Sequence, residues 1–224
     1  MTPRVTVHHI GVEDEPVAVI EDFVPDPAGV RAAAMTAAFD TAGAHYPGIR
    51  AAVPPDYLPA IRPVLGKVFR EVFGVTEAVS VIDIRLSIVT AAPDSLALEQ
   101  RLPHVDALEP GRLALVHFLG AGDEDGTAFY RHRTTGFETI DRSRSAVYFA
   151  ALNADLHRHG PPPPRYLAGD TPIYERIGQF AGCRNRALVY RGRLLHCGQI
   201  TPDRVLSTDP GQGRLTVTGF FAAR

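Results

Sequence analysis

From residue 79 onward the chain is built mostly of short runs rich in β-branched and aromatic residues. That run limits the fold more than any other feature. "AVSVIDIRLSIVT", "GRLALVHFLG", "GTAFYRHR" and "GRLTVTGFFAA" each carry the pattern of a strand with one or both faces buried. With 19 prolines and 20 glycines, many short elements separated by breakers are expected. "FETID" reads as a further short strand. "NRALVYRGRLLHCGQI" reads as a hairpin turning at Arg191-Gly192. "RSAVYFAALNADL" fits helix by its Ala and Leu and strand by its Val, Tyr and Phe. "DTPIYERIGQFAG" predicts a capped helix, with Asp170 or Thr171 ahead of Pro172. "PPPPRYLAGDT" is a surface loop.

The first third differs. Residues 4–12 and 17–20 read as short strands. Asp26 then caps, and Pro27 opens, an Ala-rich helix to about residue 39. "TAGAHYPGIRAAVPPDY" is irregular. Leu58, Ile61, Leu65, Val68, Phe69 and Phe73 recur at helical spacing until Gly74. The class that follows is α+β, a helical layer buttressing a β-sandwich or barrel. No low-complexity linker divides the chain, so residues 1–224 form one domain. Residues 1–78 supply helical support and a substrate loop, and residues 79–224 the β-barrel core.

Composition narrows the function. A net charge of −2, from 23 basic and 25 acidic residues, builds no field for nucleic acid or an anionic membrane. No apolar run is long enough to span a bilayer, and the first residues have no signal-peptide pattern. The two cysteines, Cys183 and Cys197, are too few for a disulfide framework and point to a reducing, cytoplasmic setting, whether or not they pair.

The chemistry-bearing feature is "PHVD". His104 and Asp106 are two apart, hence on one face of an extended chain, where they can hold a divalent metal or simply pair with each other. A metal needs a further donor from elsewhere. His117 shares the following strand and His132 the next, and both read as satisfied sheet or surface residues. His157 and His159 flank the proline run. His196 ends a late strand that a barrel can bring back to the "HVD" segment. Cys197 beside it points to the opposite face, against a Cys-His catalytic pair. Arg85 lies within an apolar strand and needs a partner, either Asp83 or a substrate.

In this order, His104-Val105-Asp106, "LALVHFL", "DGTAFY", His196 and a basic residue on the last strand, the sequence resembles the iron(II)/2-oxoglutarate-dependent oxygenases. Their prolyl 4-hydroxylase-like branch is the nearest, and the resemblance runs over roughly residues 79–224. It implies a double-stranded β-helix, a jelly-roll or cupin-like barrel buttressed by the N-terminal helices. It implies that His104, Asp106 and His196 bind Fe(II), leaving positions for 2-oxoglutarate and O2. It implies that Arg214 and Thr216 clasp the far carboxylate of 2-oxoglutarate, with Tyr130 nearby. Arg204 follows His196 sooner and competes with Arg214. The implied reaction is hydroxylation of a small molecule, amino acid or peptide side chain, with Arg85, Tyr46 and Arg50 as substrate contacts, the last two in the "HYPGIR" loop with His45. The competing reading is a non-catalytic or sensory metal-binding β-barrel related to cupins, or a cupin-like enzyme using a further histidine, His117, in place of the arginine. Neither nucleic acid nor membrane is an expected partner, and a homodimer is compatible with the sequence.

Overall fold

The computed structural model describes residues 2–43, 46–120, 125–201, 204 and 206–223. Among the described residues eleven strands and three α-helices follow one another as β1 (Arg4–Ile10), β2 (Glu15–Glu21), α1 (Pro27–Thr36), β3 (Asp40–Thr41), β4 (Gly48–Ala52), α2 (Tyr57–Glu71), β5 (Val79–Val89), β6 (Arg112–Phe118), β7 (Gly126–His132), α3 (Ser145–His159), β8 (Tyr174–Ala181), β9 (Ala187–Arg191), β10 (His196–Gln199) and β11 (Leu215–Ala223). The major sheet has eight strands in the order β1-β2-β9-β6-β11-β5-β4-β3, and the minor sheet three, β10-β7-β8. Every strand pair is antiparallel.

Alternation along the central strands explains the layering. On β2, Ala18 and Ile20 join one core while Val17 and Val19 join another. On β6, Leu113 and Leu115 divide in the same way from Ala114 and Phe118. The first core packs against α1 and α2 through Ala34, Tyr57, Ile61, Leu65 and Phe69. The second fills the space between the sheets, where Phe129 and Phe180 of the minor sheet meet Leu188 and Tyr190 of the major one. A third core, with Tyr130, Tyr148, Leu152 and Tyr174, lies between the outer face of the minor sheet and α3. The central strands β2, β9 and β6 are thus covered on both faces and read as apolar runs with little polar alternation.

Several expectations are met. Asp26 accepts from the Gly29 amide at 2.8 Å and caps α1. Gly74 follows α2 with φ +68°, the left-handed geometry glycine adopts freely. The ambiguous "RSAVYFAALNADL" is helical, burying Tyr148, Leu152 and Asp155 along one stripe.

Other expectations are corrected. The predicted helix at 170–182 is strand β8. The cap-type bonds do form, with the Thr171 hydroxyl accepting from the Ile173 and Tyr174 amides, but pairing with β7 draws the chain straight out of the turn. The hairpin predicted at Arg191-Gly192 is a turn between sheets: β9 pairs with β2 and β6, and β10 with β7. The segment read as irregular around residue 48 holds β4, which pairs with β5 and, with β1 to β3, makes residues before 79 part of the major sheet. "FETID" makes only the single bridge Thr139–Leu194.

His117 has a structural role. It is fully buried on the helix side of β6, its Nδ1 2.8 Å from the Tyr57 hydroxyl and its Nε2 3.2 Å from Asn185 Oδ1. Asn185 is held by the backbone of Val24, whose N–H donates to Oδ1 and whose carbonyl accepts from Nδ2, each at 3.0 Å. That orientation requires His117 Nε2 to donate to Asn185; in the neutral ring, which burial favours, Nδ1 then accepts from the Tyr57 hydroxyl. Burial lowers its pKa to about 3. Below the unfolded value of about 6.5 the unfolded chain takes up a proton that folded His117 refuses. Stability therefore falls by roughly 1.4 kcal/mol per pH unit as pH drops from there toward the folded value. Urea denaturation from pH 7 to pH 5 is expected to show this slope in the wild type and a shallower one in His117→Gln. Equal slopes would remove the assignment.

Candidate metal centre

The backbone brings the two halves of the site together. His104 and His196 exchange both backbone hydrogen bonds, each 2.9 Å, as directly opposed residues of an antiparallel bridge. The Asp106 amide donates to the Gly192 carbonyl at 2.7 Å. Residues 104–106 therefore run alongside 192–196 as an added edge to the minor sheet, and the spacing of two puts His104 and Asp106 on one face. A donor atom from each of His104, Asp106 and His196 lies within 4.8 Å of the others.

The donor set suits a divalent cation. His196 Nε2 stands 3.4 Å from Asp106 Oδ2, and His104 Nε2 3.7 Å from Oδ1. Donors about 2.1 Å from one ion and at right angles to each other lie about 3 Å apart, so the three donors, now within 4.8 Å, draw together when an ion binds. The Nδ1 of His196 is 2.8 Å from the Leu194 carbonyl, which can only accept; Nδ1 carries the proton and Nε2 offers its lone pair inward. Asp106 Oδ2 is buried with no hydrogen-bond partner, a costly position that a cation would relieve. Burial raises Asp106 to about 6, offset in part by His104 and Arg112, and burial lowers His196 to about 4. A neutral imidazole and a carboxylate short of a cation are what a metal would take up. Tyr190 and Phe129 wall the site, their ring centroids 4.7 and 6.3 Å from that of His196.

Next to this cluster lies a polar pocket. Arg214, immediately before β11, and Thr216 on it have the same parity, and both are buried. Arg214 donates from Nη2 to the Gly126 carbonyl at 2.8 Å and stacks over Phe118, while its Nε is buried without a partner. Gly126 tolerates no side chain, since a Cβ there would lie 2.1 Å from the Phe180 carbonyl oxygen. The competing Arg204 is engaged, its Nε 3.4 Å from Asp125 Oδ2. An orphaned guanidinium edge beside the triad fits a carboxylate ligand, so Arg214 is the better match of the two.

Two sequence expectations change places. Tyr130 faces away from the site, since His196 lies opposite Phe129 and the next residue on each strand points outward; Tyr130 packs in the outer core with Cys197. Tyr46, read as a substrate contact, instead brings its hydroxyl, buried and without a partner, beside Arg214, Thr216 and Ser87. Arg85 is half exposed and pairs with Asp83 at 3.1 Å, the first of the two partners the sequence offered. Arg50 is held by Asp83 at 2.9 Å, Thr218 at 2.9 Å and Ser87 at 3.2 Å. His45 lies outside the described residues. His117, the candidate for a cupin-like fourth ligand, lies on the opposite face of β6. Sequence reasoning missed Tyr190, Ser87 and Tyr166. The last comes from the proline-rich loop, its hydroxyl 2.8 Å from the Ala91 carbonyl and its ring near Tyr46 and Arg214. Strand parity in "ALVYR" could have found Tyr190; nothing local marks Tyr166.

Two antiparallel sheets face to face, with helices outside, are the α+β double-stranded β-helix architecture seen in 2-oxoglutarate oxygenase structures. The chain belongs to DUF6445, a family of unknown function, matched over residues 1–221. No curated protein matches its sequence. Among solved structures it is similar to SnoN, the non-heme alpha-ketoglutarate-dependent epimerase from nogalamycin biosynthesis (TM-score 0.50, 11% identity, 93% of this chain and 78% of that one). It is also similar to HygX from Streptomyces hygroscopicus, solved with nickel, 2-oxoglutarate and hygromycin B (TM-score 0.48, 14% identity, 92% and 82%).

Proposed function

We propose that this protein is an iron(II)- and 2-oxoglutarate-dependent oxygenase hydroxylating a small molecule, amino acid or peptide side chain. The carrying observation is one of position: the His104–Asp106–His196 cluster, with its orphaned carboxylate oxygen, adjoins a buried arginine with an orphaned nitrogen. Iron with 2-oxoglutarate and O2 would supply the oxidising chemistry. The protein's part is positioning. Leu194 fixes the His196 tautomer, and Asp106 supplies the negative charge. Arg214, with the Thr216 and Tyr46 hydroxyls, would hold the distal carboxylate, and Phe129 and Tyr190 back the buried His196 side of the centre. The order of the motif supports a place near the prolyl 4-hydroxylase-like branch. The similarity to SnoN supports the co-substrate and leaves the outcome at the substrate carbon to be measured.

The non-catalytic reading is disfavoured by the Arg214 pocket, for which a passive metal sensor has no use. Two free cysteines and a need for ferrous iron support a cytoplasmic setting. Anaerobic addition of iron(II) and then 2-oxoglutarate to metal-free protein is expected to produce a visible metal-to-ligand charge-transfer band. Bound iron with no band at saturating 2-oxoglutarate would refute the proposal.

A further inference from the structure

We infer that the primary substrate carries an anionic group, a carboxylate or a phosphate, and that Arg112 binds it at the mouth of the metal site. The inference rests on the oxygenase reading in treating that ligand as the substrate.

Arg112 opens β6 with the parity of Ala114 and Phe118, so it projects into the space between the sheets. It is close to the triad: a Cβ built on Gly192 would meet the Cβ atoms of Asp106 and Arg112 at 3.5 Å each. Among the described residues it is the one partly buried arginine whose side chain makes no hydrogen bond or ion pair. Arg50, Arg131, Arg144, Arg186, Arg191 and Arg193, all partly buried, are each paired with a carboxylate. A partly desolvated guanidinium left without an acceptor is unfavourable unless something else supplies one.

Two carboxylates are near, but each has another task. Glu109 is taken by Arg142 at 2.7 Å, and Asp106 belongs to the triad. Neither carboxylate forms an ion pair with Arg112. The floor beside Arg112 is open: Thr218, Phe220 and Ala222, alternating on the inner face of β11, are all half-buried, whereas Thr216 further in is fully buried. Across β11 lies Arg85, half exposed and held by Asp83 through Nε at 3.1 Å. The groove thus presents Arg112 and Arg85 at its sides and the Phe220 ring between. An anionic group bound at Arg112 would sit beside the metal, with an apolar body over Phe220.

The test uses metal-free protein without 2-oxoglutarate, titrated with phenylacetate, phenyl phosphate and neutral phenylacetamide. Binding is followed by calorimetry and by the NMR signals of the arginine Nε–H groups. At least one anion is expected to bind in the millimolar range and the amide not; the tighter anion names the acidic group. Arg112→Gln should weaken that binding at least about tenfold, and Arg112→Lys less, with the fold of both checked by their melting curves. The 2-oxoglutarate concentration at half-maximal charge-transfer band should not move in Arg112→Gln. Equal binding of the amide, no anion binding by about 10 mM, or anion binding that survives Arg112→Gln would overturn the inference. A raised 2-oxoglutarate requirement would also overturn it, reassigning Arg112 to the co-substrate. Because the probes are read in metal-free protein, a missing band would sink the oxygenase reading without deciding this titration.

Discussion

His196→Ala and Asp106→Asn are each expected to lower iron(II) affinity by at least about a hundredfold while leaving the metal-free protein folded. The expectation of intact folding has a specific basis. The His196 side chain gives up one hydrogen bond, to Leu194, but the backbone bridge to His104 that holds the two strands together is untouched. Asparagine keeps the shape of Asp106 and removes a carboxylate that burial already disfavours in its charged form, so the melting temperature of the metal-free protein should hold or rise. Metal binding depends on both groups directly, and even residues that only orient a ligand change affinity tenfold to a hundredfold. Anaerobic calorimetry with iron(II), paired with thermal melts, separates the two effects. Wild-type iron affinity in either variant would remove that residue from the metal site.

Arg214→Ala should leave iron binding unchanged and raise the half-saturating 2-oxoglutarate concentration roughly a hundredfold or more. Two charge-assisted hydrogen bonds at about 1.5–3 kcal/mol each set that scale. Lysine would restore only part of the effect, since a point charge cannot reproduce two parallel donors. Arg204→Ala makes the comparison decisive. It breaks the ion pair with Asp125, whose Oδ1 also accepts from the Thr201 amide, and its effect on 2-oxoglutarate should stay within a few-fold. A larger effect at Arg204 than at Arg214 would exchange their roles.

What was legible in the sequence follows from periodicity. Spacing of two placed His104 and Asp106 on one face, and alternation identified β5, β6, β7 and β11 and separated His196 from Cys197. These features depend on the local geometry of an extended chain, which a single segment carries by itself. The failures share a different cause. The cap signals at Asp170 and Thr171 were real hydrogen-bonding groups, and their bonds form, but a neighbouring strand decided what followed the turn. Arg191-Gly192 does turn, yet the two arms enter different sheets.

The sequence by itself determined the class of fold and the pairing of His104 with Asp106 on one face, because parity is local; His196 joined the candidate cluster through the order of the motif, a resemblance rather than local geometry. Only the tertiary structure decided which side of each sheet is interior. That choice sent Tyr130 outward, brought Tyr46 to the Arg214 pocket, engaged Arg204 with Asp125, and left Arg112 partly buried without an acceptor beside Asp106. Alternation says that two residues share a face; only packing of one sheet against the other says what that face meets.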